Sequence, residues 1–437
     1  MHKYKTYKNS NIPWIGQIPK HWEVKRLREL CTYTKGLAFK SKDFTDTGVA
    51  VVKATDINNF KITKPTTFVN EEIANLSQQV LLNKGNIILS TVGSRPNILA
   101  SAVGQLALVS NKDSDALLNQ NAVIIKSNKN IDTVFFAQTL IAYRFRLYLN
   151  LIARGTANQS SIKIFEILNY IQLLPPVSEQ KQIAEYLDEK TEGIDKKISL
   201  LEKKAATYKE LKQSLINQTV TRGLNPSVKL KDSKIDWIGQ IPEHWEVKRV
   251  GDMTIKNTLK NKGMVENNLL SLSYGSIIKK NINTSLGLLP ESFETYQILK
   301  NGYIILRLTD LQNDKKSLRV GYVKEPGIIT SAYLGLIPDI NTYSKYLYLL
   351  LHSYDISKIF YWFGGGLRST MRFDDIKVIP VVLPPLQEQK EIANYLDEKT
   401  SQIDEIVSSI DRQVEKLREF RKTLINDVVT GKIKVVE

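Results

Sequence analysis

Two stretches of this sequence occur twice in the same order, and this repetition limits the folds that the chain can adopt. The segment Trp14–Arg26 (WIGQIPKHWEVKR) returns at Trp237–Arg249 with one residue changed. The segment Leu174–Asp195 returns at Leu383–Asp404 with 16 of 22 positions identical. Since repeated segments mark repeated structural units, we expect two copies of one fold, with similar ends and different middles.

The number of residues between matching positions of the two copies decreases along the chain, so the second copy is the shorter one. Trp14 matches Trp237, Gly85 matches Gly302, and Leu174 matches Leu383, and the separation falls at each step. It stays constant after Leu174, so the second copy has lost residues only from its middle. Two units are too few for a solenoid, which needs about three stacked repeats.

The positive charge of the chain is concentrated in the two middles. Residues 1–173 carry 22 Lys and Arg against 11 Asp and Glu, and residues 223–387 carry 21 against 15. Residues 174–222 and 388–437 have net charges of only +1 and −2. A basic excess in both middles favours a polyanionic partner such as DNA, although a charged face is often only solvated surface.

Other features of the composition exclude several protein classes. The single cysteine, Cys31, excludes a disulfide framework and fits a reducing cytoplasm. No apolar run approaches the roughly 18 residues of a membrane span, and the start of the chain lacks the apolar centre of a signal peptide. We therefore expect a cytoplasmic protein that does not contact the membrane.

Each second repeated segment predicts a long helix that begins near Ser178 or Gln387, after a pair of prolines. Apolar or small residues then recur in steps of 4, 3, 4, 3, 3 and 4, which is a nearly heptad spacing. These are Ile194, Ile198, Leu201, Ala205, Tyr208, Leu211 and Leu215, and then Ile403, Val407, Ile410, Val414, Leu417, Phe420 and Leu424. We expect the two helices to bury these stripes against each other as an antiparallel coiled coil with a pseudo-twofold axis, although each could instead fold back on its own domain.

The middles have the mixed pattern of an α+β fold. Short apolar runs at 49–52, 87–89, 122–125, 304–306 and 378–383 predict strands between turn residues. The aromatic-rich segments 135–152 and 343–363 predict helices, whose aromatic residues are more often core than surfaces for stacking bases.

Polar loops at matching places in the two copies are the candidate DNA contacts. One loop follows the central strand of each copy and the other precedes its last strand, and both contain side chains that can bond base edges or phosphates. Each loop taken alone is more readily interpreted as an ordinary turn, and the agreement of loop positions between the copies is the better evidence. The candidates are Thr91, Ser94, Arg95, Asn97, Arg154, Asn158 and Gln159 in the first copy, and Arg307, Thr309, Arg368, Ser369 and Arg372 in the second.

The sequence contains no arrangement of residues that predicts catalysis or a metal site. It has no phosphate-binding GxxxxGK[ST], no HExxH and no paired CxxC motif, and no [DN]PP[YF] motif typical of base-methylating enzymes. His21 and His244 lie in the repeated His-Trp turns, where a packing role is commoner than catalysis. We expect Trp14, Trp22, Trp237 and Trp245 to pack each domain against its helices. We also expect no catalytic residue in this chain.

Taken together, the repeated WIGxIPxHWEVKR and LPPxxEQKxIAxYLDxKTxxID segments and the tandem layout closely resemble the specificity subunits of type I restriction-modification enzymes. The resemblance covers nearly the whole chain. It implies two target-recognition domains at 1–173 and 223–387, each reading one half of a split, asymmetric DNA site. It also implies spacer helices at 174–222 and 388–437 that fix the gap between the halves. Since both recognition domains occur in intact order, we expect the chain to be complete.

The resemblance also implies partners in a bacterial or archaeal cell. These are double-stranded DNA, two copies of a modification (methyltransferase) subunit, and restriction subunits that translocate and cleave DNA. S-adenosylmethionine, ATP and Mg²⁺ are expected in those partner subunits and not in this chain. The recognition domains are the variable part of the family, so no base-contacting residue follows from the resemblance. The alternatives are a self-sufficient enzyme and a coiled-coil scaffold with two protein-binding heads.

Overall fold

The computed structural model describes residues 3–435 except 13–14, 59, 95–102, 157–158, 283–291, 312, 315–316 and 364–369. The chain divides into two compact units. The first unit contains residues 1–201 and 412–437, and the second contains residues 202–411. Each unit therefore combines one sequence copy with part of the other.

The first copy contains seventeen short strands and six α-helices among its described residues. The strands are β1 (Tyr7–Asn9), β2 (Gln17–Pro19), β3 (Glu23–Arg26), β4 (Cys31–Lys35), β5 (Phe44–Thr45), β6 (Val49–Val52), β7 (Ile57–Asn58), β8 (Lys61–Ile62), β9 (Phe68–Val69), β10 (Ile87–Ser90), β11 (Val92–Gly93), β12 (Leu106–Leu108), β13 (Leu117–Leu118), β14 (Ala122–Ser127), β15 (Arg154–Gly155), β16 (Ser160–Ser161) and β17 (Ile171–Leu174). The helices are α1 (Leu27–Leu30), α2 (Glu71–Leu76), α3 (Thr133–Ile141), α4 (Tyr143–Ile152), α5 (Ile164–Leu168) and α6 (Val177–Arg222).

The second copy contains twelve strands and five α-helices among its described residues. The strands are β18 (Leu230–Asp232), β19 (Gln240–Pro242), β20 (Glu246–Arg249), β21 (Thr254–Lys256), β22 (Leu270–Ser273), β23 (Ser276–Lys279), β24 (Gln297–Leu299), β25 (Ile304–Leu306), β26 (Val320–Tyr322), β27 (Gly327–Ile329), β28 (Leu334–Pro338) and β29 (Pro380–Leu383). The helices are α7 (Val250–Met253), α8 (Ser344–Ile356), α9 (Phe360–Phe363), α10 (Phe373–Ile376) and α11 (Leu386–Val429).

A four-stranded antiparallel sheet in the order β12-β10-β14-β4 forms the centre of the first unit. Side chains alternate between its faces, as strand geometry requires. Ile87 and Leu89 pack with Phe136 and other residues of α3 and α4. Ile88 faces the opposite side and packs with Val51 of the sheet β13-β6-β9-β5. The central sheet is therefore buried on both faces.

The second unit repeats this arrangement around the sheet β21-β28-β25-β26. Ile304 and Leu306 join the larger core, which includes helix α8, while Ile305 joins a smaller core with Leu272 of β22. These residues occupy the positions of Ile87–Leu89 in the first copy, at the same separation as Gly85 and Gly302. The mixed α+β duplication expected from the sequence is confirmed.

The long helices α6 and α11 run antiparallel, because each unit contains the beginning of one and the end of the other. In the first unit, Leu187 of α6 shares a core with Leu424 and Val428 of α11. In the second unit, Ile216 at the end of α6 shares a core with Leu396 near the start of α11. The expected antiparallel pairing is confirmed, and the fold-back alternative is wrong.

Two equivalent ion pairs join the helices. In the first unit the Arg421 Nη2 donates to Asp195 Oδ2 over 3.2 Å, and in the second the Lys212 Nζ lies 2.7 Å from Asp404 Oδ2. Asp195 corresponds to Asp404 and Lys212 corresponds to Arg421, at the constant separation of the second repeated segment. The two pairs are therefore related by the pseudo-twofold symmetry of the sequence.

The predicted apolar stripe is wrong at one position in each helix. Leu211 and Phe420 are 50% and 47% exposed, whereas most of the other stripe residues are buried or half-buried. The half-buried Lys212 and Arg421 take their places beside the partner helix. The stripe then proceeds in steps of 4, 3, 4, 3, 4 and 3. A regular heptad spacing is kept because a cation one residue after each predicted apolar position lies beside the partner helix.

Three predicted elements are shorter than the sequence suggested. The segment 135–152 forms two helices because Ala142 has an extended ψ of 144°. The segment 343–363 likewise forms α8 and α9, with Lys358 at a positive φ of 60° between them. The last strand begins at Pro380 because the preceding Ile379 N–H closes a turn onto the Ile376 carbonyl over 3.0 Å.

The repeated His-Trp turns fix the start of each long helix. Trp22 is fully buried, and its indole Nε1 donates to Glu179 Oε1 in the first turn of α6 over 3.1 Å. His21 Nε2 lies 2.7 Å from the other carboxylate oxygen of Glu179. Trp245 and His244 contact the equivalent Glu388 in the second unit, at 3.1 and 2.8 Å, but both contact the same oxygen, Oε2. The packing role expected of these turns is confirmed for the residues described; Trp14 lies outside them.

The ring contacts of Trp237 are with the domain helices α8 and α9, so the packing on a long helix that was expected of it is not among them. Its ring contacts Tyr354 at a centroid distance of 6.0 Å within the larger core of the second unit. Helix α8, which carries Tyr354, therefore joins the start of the segment Trp237–Arg249 to the central sheet.

His352 of α8 makes the second unit sensitive to pH. Its ring stacks on Tyr348 at 5.6 Å, and Nδ1 is buried without a hydrogen-bond partner. Burial, with a smaller effect of Lys212, lowers the pKa of His352 to about 4. The unfolded chain, with a pKa of about 6.5, binds more protons than the folded one between these values. The stability of the second unit should therefore fall as the pH drops from 6.5 to 4.

We expect this loss to reach at most about 3 kcal/mol, and His352→Tyr to remove it. Tyrosine is uncharged over this pH range and keeps an aromatic ring that can stack on Tyr348. Hydrogen exchange of the amides of α8 at pH 7 and 4.5, in both proteins, measures the effect. Equal losses of protection in the two proteins would show that His352 is not its source.

Candidate nucleic-acid interface

The two candidate loops of the first copy lie side by side. Strand β11, which follows Thr91, pairs with β16, and β16 also pairs with β15. The Ile162 N–H donates to the Thr91 carbonyl over 2.9 Å at the edge of this small sheet. Two segments that are distant in sequence are thereby joined into one surface.

The described candidates on this surface differ in exposure. Thr91 is half-buried, and its hydroxyl donates to the Asn121 carbonyl over 3.1 Å, while Ser94 is buried. Arg154 and Gln159 are exposed, and the Arg154 guanidinium pairs with Glu166 over 3.0 Å. An exposed ion pair contributes only about 0–1 kcal/mol, so Arg154 can exchange this partner for a phosphate at little cost. Arg95, Asn97 and Asn158 lie outside the described residues.

The loops of the second copy meet in the same way. The Met371 N–H donates to the Leu308 carbonyl over 2.9 Å, which matches the bond between Ile162 and Thr91. Arg307 and Thr309 are half-buried, and Arg372 is exposed at the start of α10. The Arg372 N–H donates to Asp375 Oδ2 over 2.7 Å, which fixes the backbone there. Arg368 and Ser369 lie outside the described residues.

No sequence motif indicated the buried residue beneath the second loop. Arg319 is wholly buried, and its guanidinium donates to carbonyl groups of residues 307–314. The one available signal was a comparison of the copies: Arg319 precedes the apolar strand β26, and Gln105 precedes the matching strand β12. A charged residue at the start of a buried strand needs partners, and here the loop provides them.

The single cysteine, Cys31, is buried in a core of the first unit. Burial raises the pKa of the Cys31 thiol to about 12, so it is held as an unreactive thiol. Within the ranges that the structure describes, no group of three or more His, Cys, Asp or Glu residues could hold a metal ion. No described helix is long and apolar enough to span a membrane. The exposed cations and amides of the candidate loops can form hydrogen bonds with phosphates and base edges.

Comparison with known proteins identifies the two copies. The profile of the family described as "Type I restriction modification DNA specificity domain" matches residues 19–205 and again 242–416. Relatives include a putative type I restriction enzyme MjaX specificity subunit of Methanocaldococcus jannaschii, 27% identical over 98% of each chain. The MjaVIII specificity subunit of the same organism is 25% identical over 98% of this chain and 97% of its own.

Solved structures share the fold. A chain from a structure titled as the basis of complex assembly and conformational transition of the type I R-M system has a TM-score of 0.68 and 16% identity, over 95% of this chain and 99% of that one. The HsdS subunit from Thermoanaerobacter tengcongensis has a TM-score of 0.50 and 17% identity, over 95% and 98%. At these identities the likeness concerns the fold alone.

Proposed function

This chain belongs to the family of type I restriction-modification DNA specificity subunits, and from this premise we propose that its two loop pairs each read one half of a split DNA site. The first reader combines the loops around Thr91 and Gln159, and the second combines those around Arg307 and Arg372. The division into recognition domains at 1–173 and 223–387 and spacers at 174–222 and 388–437 is part of this proposal.

The observation that carries the proposal is that the two copies agree in where their loops meet and differ in what those loops contain. The backbone bond from Ile162 to Thr91 recurs from Met371 to Leu308. The side chains differ, with Arg307 where the first copy has Ser90. A shared scaffold with different polar side chains suits two readers of different sequences, and hence an asymmetric site.

Charge supports DNA as the partner. The domains have net charges of +11 and +6, while the spacers are nearly neutral. Phosphate contacts from Lys and Arg provide most of the affinity of such proteins, and contacts with base edges provide the sequence preference. The exposed arginines Arg154 and Arg372 are suited to either kind of contact.

The symmetry of the helices supports two copies of one partner. Equivalent residues such as Leu211 and Phe420 are exposed on α6 and α11, so the paired helices offer two similar surfaces. We assign these to two modification subunits, with restriction subunits joining them, in the bacterial or archaeal cytoplasm. S-adenosylmethionine, ATP and Mg²⁺ then belong to those partners, and this chain directs them to the DNA site.

Salt dependence tests the proposal against the alternative of a scaffold with two protein-binding heads. Binding of the full chain to duplex DNA that contains the site, with and without the modification subunit, is measured from 50 to 200 mM salt. We expect the logarithm of the affinity to fall linearly with that of the salt concentration, by about 0.9 for each phosphate contacted. A flat response, or no retention of DNA, would favour the scaffold.

A further inference from the structure

The least expected side chain in the second unit is a buried arginine beneath a candidate recognition loop. The side chain of Arg319 has no exposed surface. Its Nη2 atom lies 4.0 Å from Asp314 Oδ2, which is the longest distance usual for an ion pair. Burying a cation is costly unless it is paired or hydrogen-bonded, so its other contacts must stabilise it here.

Those contacts are mostly with the backbone of one loop. Arg319 Nη1 donates to the carbonyls of Arg307 and Thr309 over 3.1 and 2.8 Å. Its Nη2 donates to the carbonyls of Asp310, over 3.3 Å, and Asp314. The guanidinium therefore gathers four carbonyl groups from the segment 307–314 around one planar group.

A second set of bonds holds the arginine itself. Its Nε donates to the Tyr361 hydroxyl over 3.1 Å, and that hydroxyl donates to the Asp314 carbonyl over 2.9 Å. The Arg319 backbone N–H donates to the buried carboxylate of Asp355 on α8. The loop is thus tied through Arg319 to the helical layer beneath it.

This network acts on the segment that carries two of the candidate contacts. Arg307 and Thr309 lie in it, and Asp310 has a φ of +58°, a left-handed conformation that is uncommon outside glycine. The carbonyl groups that accept hydrogen bonds from Arg319 are held in place, and this fixes the backbone around them. The directions in which the Arg307 and Thr309 side chains leave the backbone are fixed with it. Recognition of bases requires this precision, because a loose side chain cannot maintain bidentate geometry.

We infer that Arg319 is the positioning residue of the second recognition loop: it contacts no DNA itself, and it sets the loop geometry that allows Arg307 and Thr309 to select a sequence. This inference rests on the proposed function. It is specific to one half of the site, because the first copy has Gln105 at the matching position, whose backbone N–H donates to Ser90 Oγ over 2.9 Å.

Lysine is the informative substitution at position 319, because it keeps the positive charge and loses the planar guanidinium with its several N–H donors. An ammonium group offers three donors on one atom, whereas the guanidinium offers five on three atoms. Lysine therefore cannot reach four carbonyls and a hydroxyl at once. Tyr361→Phe removes one hydroxyl from the edge of the network and keeps the ring, so it is the milder variant.

The experiment compares sequence preference in each half of the site. The motif methylated in the native host is mapped first, and the complex of the full chain with its modification subunit is then tested on duplexes with single base changes in either half. The double variant Arg307→Ala/Arg372→Ala identifies the half read by the second copy. Gln105→Met is the matched control in the first copy, and hydrogen exchange confirms that each variant is folded.

We expect Arg319→Met and Arg319→Lys each to reduce discrimination in the second half about tenfold and to leave the first half unchanged. Tyr361→Phe should cause a smaller loss in the same half, and Gln105→Met none there. Full discrimination in folded Arg319→Lys would overturn the inference. If the Arg319 variants do not fold, the inference would be overturned by a Tyr361→Phe variant that discriminates between bases in the second half as well as the unmodified protein does.

The arginine double variant separates this inference from the proposed function. If it alters one half of the site and the Arg319 variants alter neither, only the role of Arg319 is wrong. If it alters neither half, the proposed reading loops are wrong, and the role of Arg319 falls with them.

Discussion

Adding four residues to both long helices should lengthen the gap in the recognised DNA site by about two base pairs. The insertions go between Lys203 and Lys204 in α6 and between Arg412 and Gln413 in α11. These points lie midway between Asp195 and Lys212, and midway between their counterparts. Four residues add roughly 6 Å and 40° of helix, and two base pairs add about 7 Å and 70°. Since the helices join the recognition domains, the half-sites themselves should stay the same.

The pairing of the helices explains why both must be lengthened. Asp195 pairs with Arg421, and Lys212 pairs with Asp404. An insertion in α6 alone would move Lys212 away from Asp195 by about one helical turn, while their partners on α11 stayed in place, so both pairs could not form. We expect that control to reduce the yield of folded protein without producing a new gap.

Methylated adenines mapped in cells with each variant decide the outcome. The double insertion should give the original half-sites at the longer spacing. An unchanged gap with full methylation would show that the helices do not set the spacing. Altered half-sites would show that the recognition domains do not act independently.

Removing the residues after Lys422 should unfold the first unit and leave the second folded. The lost segment contains Leu424, Ile425, Val428 and Val429, all buried in the core that includes Trp22. Each buried aliphatic side chain contributes about 1.5–3 kcal/mol, so together they amount to roughly 6–12 kcal/mol. A whole domain is stable by only about 5–15 kcal/mol. The first unit should therefore lose most or all of its stability.

Point substitutions allow the same effect to be graded. Leu424→Ala should destabilise the first unit by about 2–5 kcal/mol, since it leaves a cavity in that core. Phe420→Ala is the matched control on the same helix, because its ring is half exposed and should cost far less. Hydrogen exchange resolved along the chain separates the two units. Protection of β10 and β14 that survives the truncation would contradict the prediction.

The sequence predicted the features that depend on repetition and periodicity. The duplication, the strand Ile87–Leu89 with its counterpart, and the antiparallel helices all follow from local patterns that recur in the second half of the chain. The prediction of the apolar stripe was wrong at Leu211 and Phe420, because apolar character alone does not show which of two adjacent residues faces the partner helix. Lys212 was passed over, although its long aliphatic stem allows it to line the seam.

Other features depended on contacts that sequence patterns do not contain. The break at Ala142 interrupts a run of residues that all suit a helix. The meeting of the candidate loops depends on the backbone bond from Ile162 to Thr91, which joins residues far apart in the sequence. No sequence pattern singled out Arg319, because its partners are carbonyl groups from a loop whose conformation no motif predicts.

The exchange of helix ends between the two units has a consequence for synthesis of the chain. The core around Trp22 needs Leu424 and Val428, which are synthesised about 400 residues after Trp22. The first unit is therefore completed only when its early residues meet this late segment, and closing so long a loop is slow. A nascent chain that stops early displays an unfinished first reader, which chaperones and proteases can recognise. The end of α11 thus completes the first unit after the residues of the second unit's larger core, up to Leu396, have been synthesised.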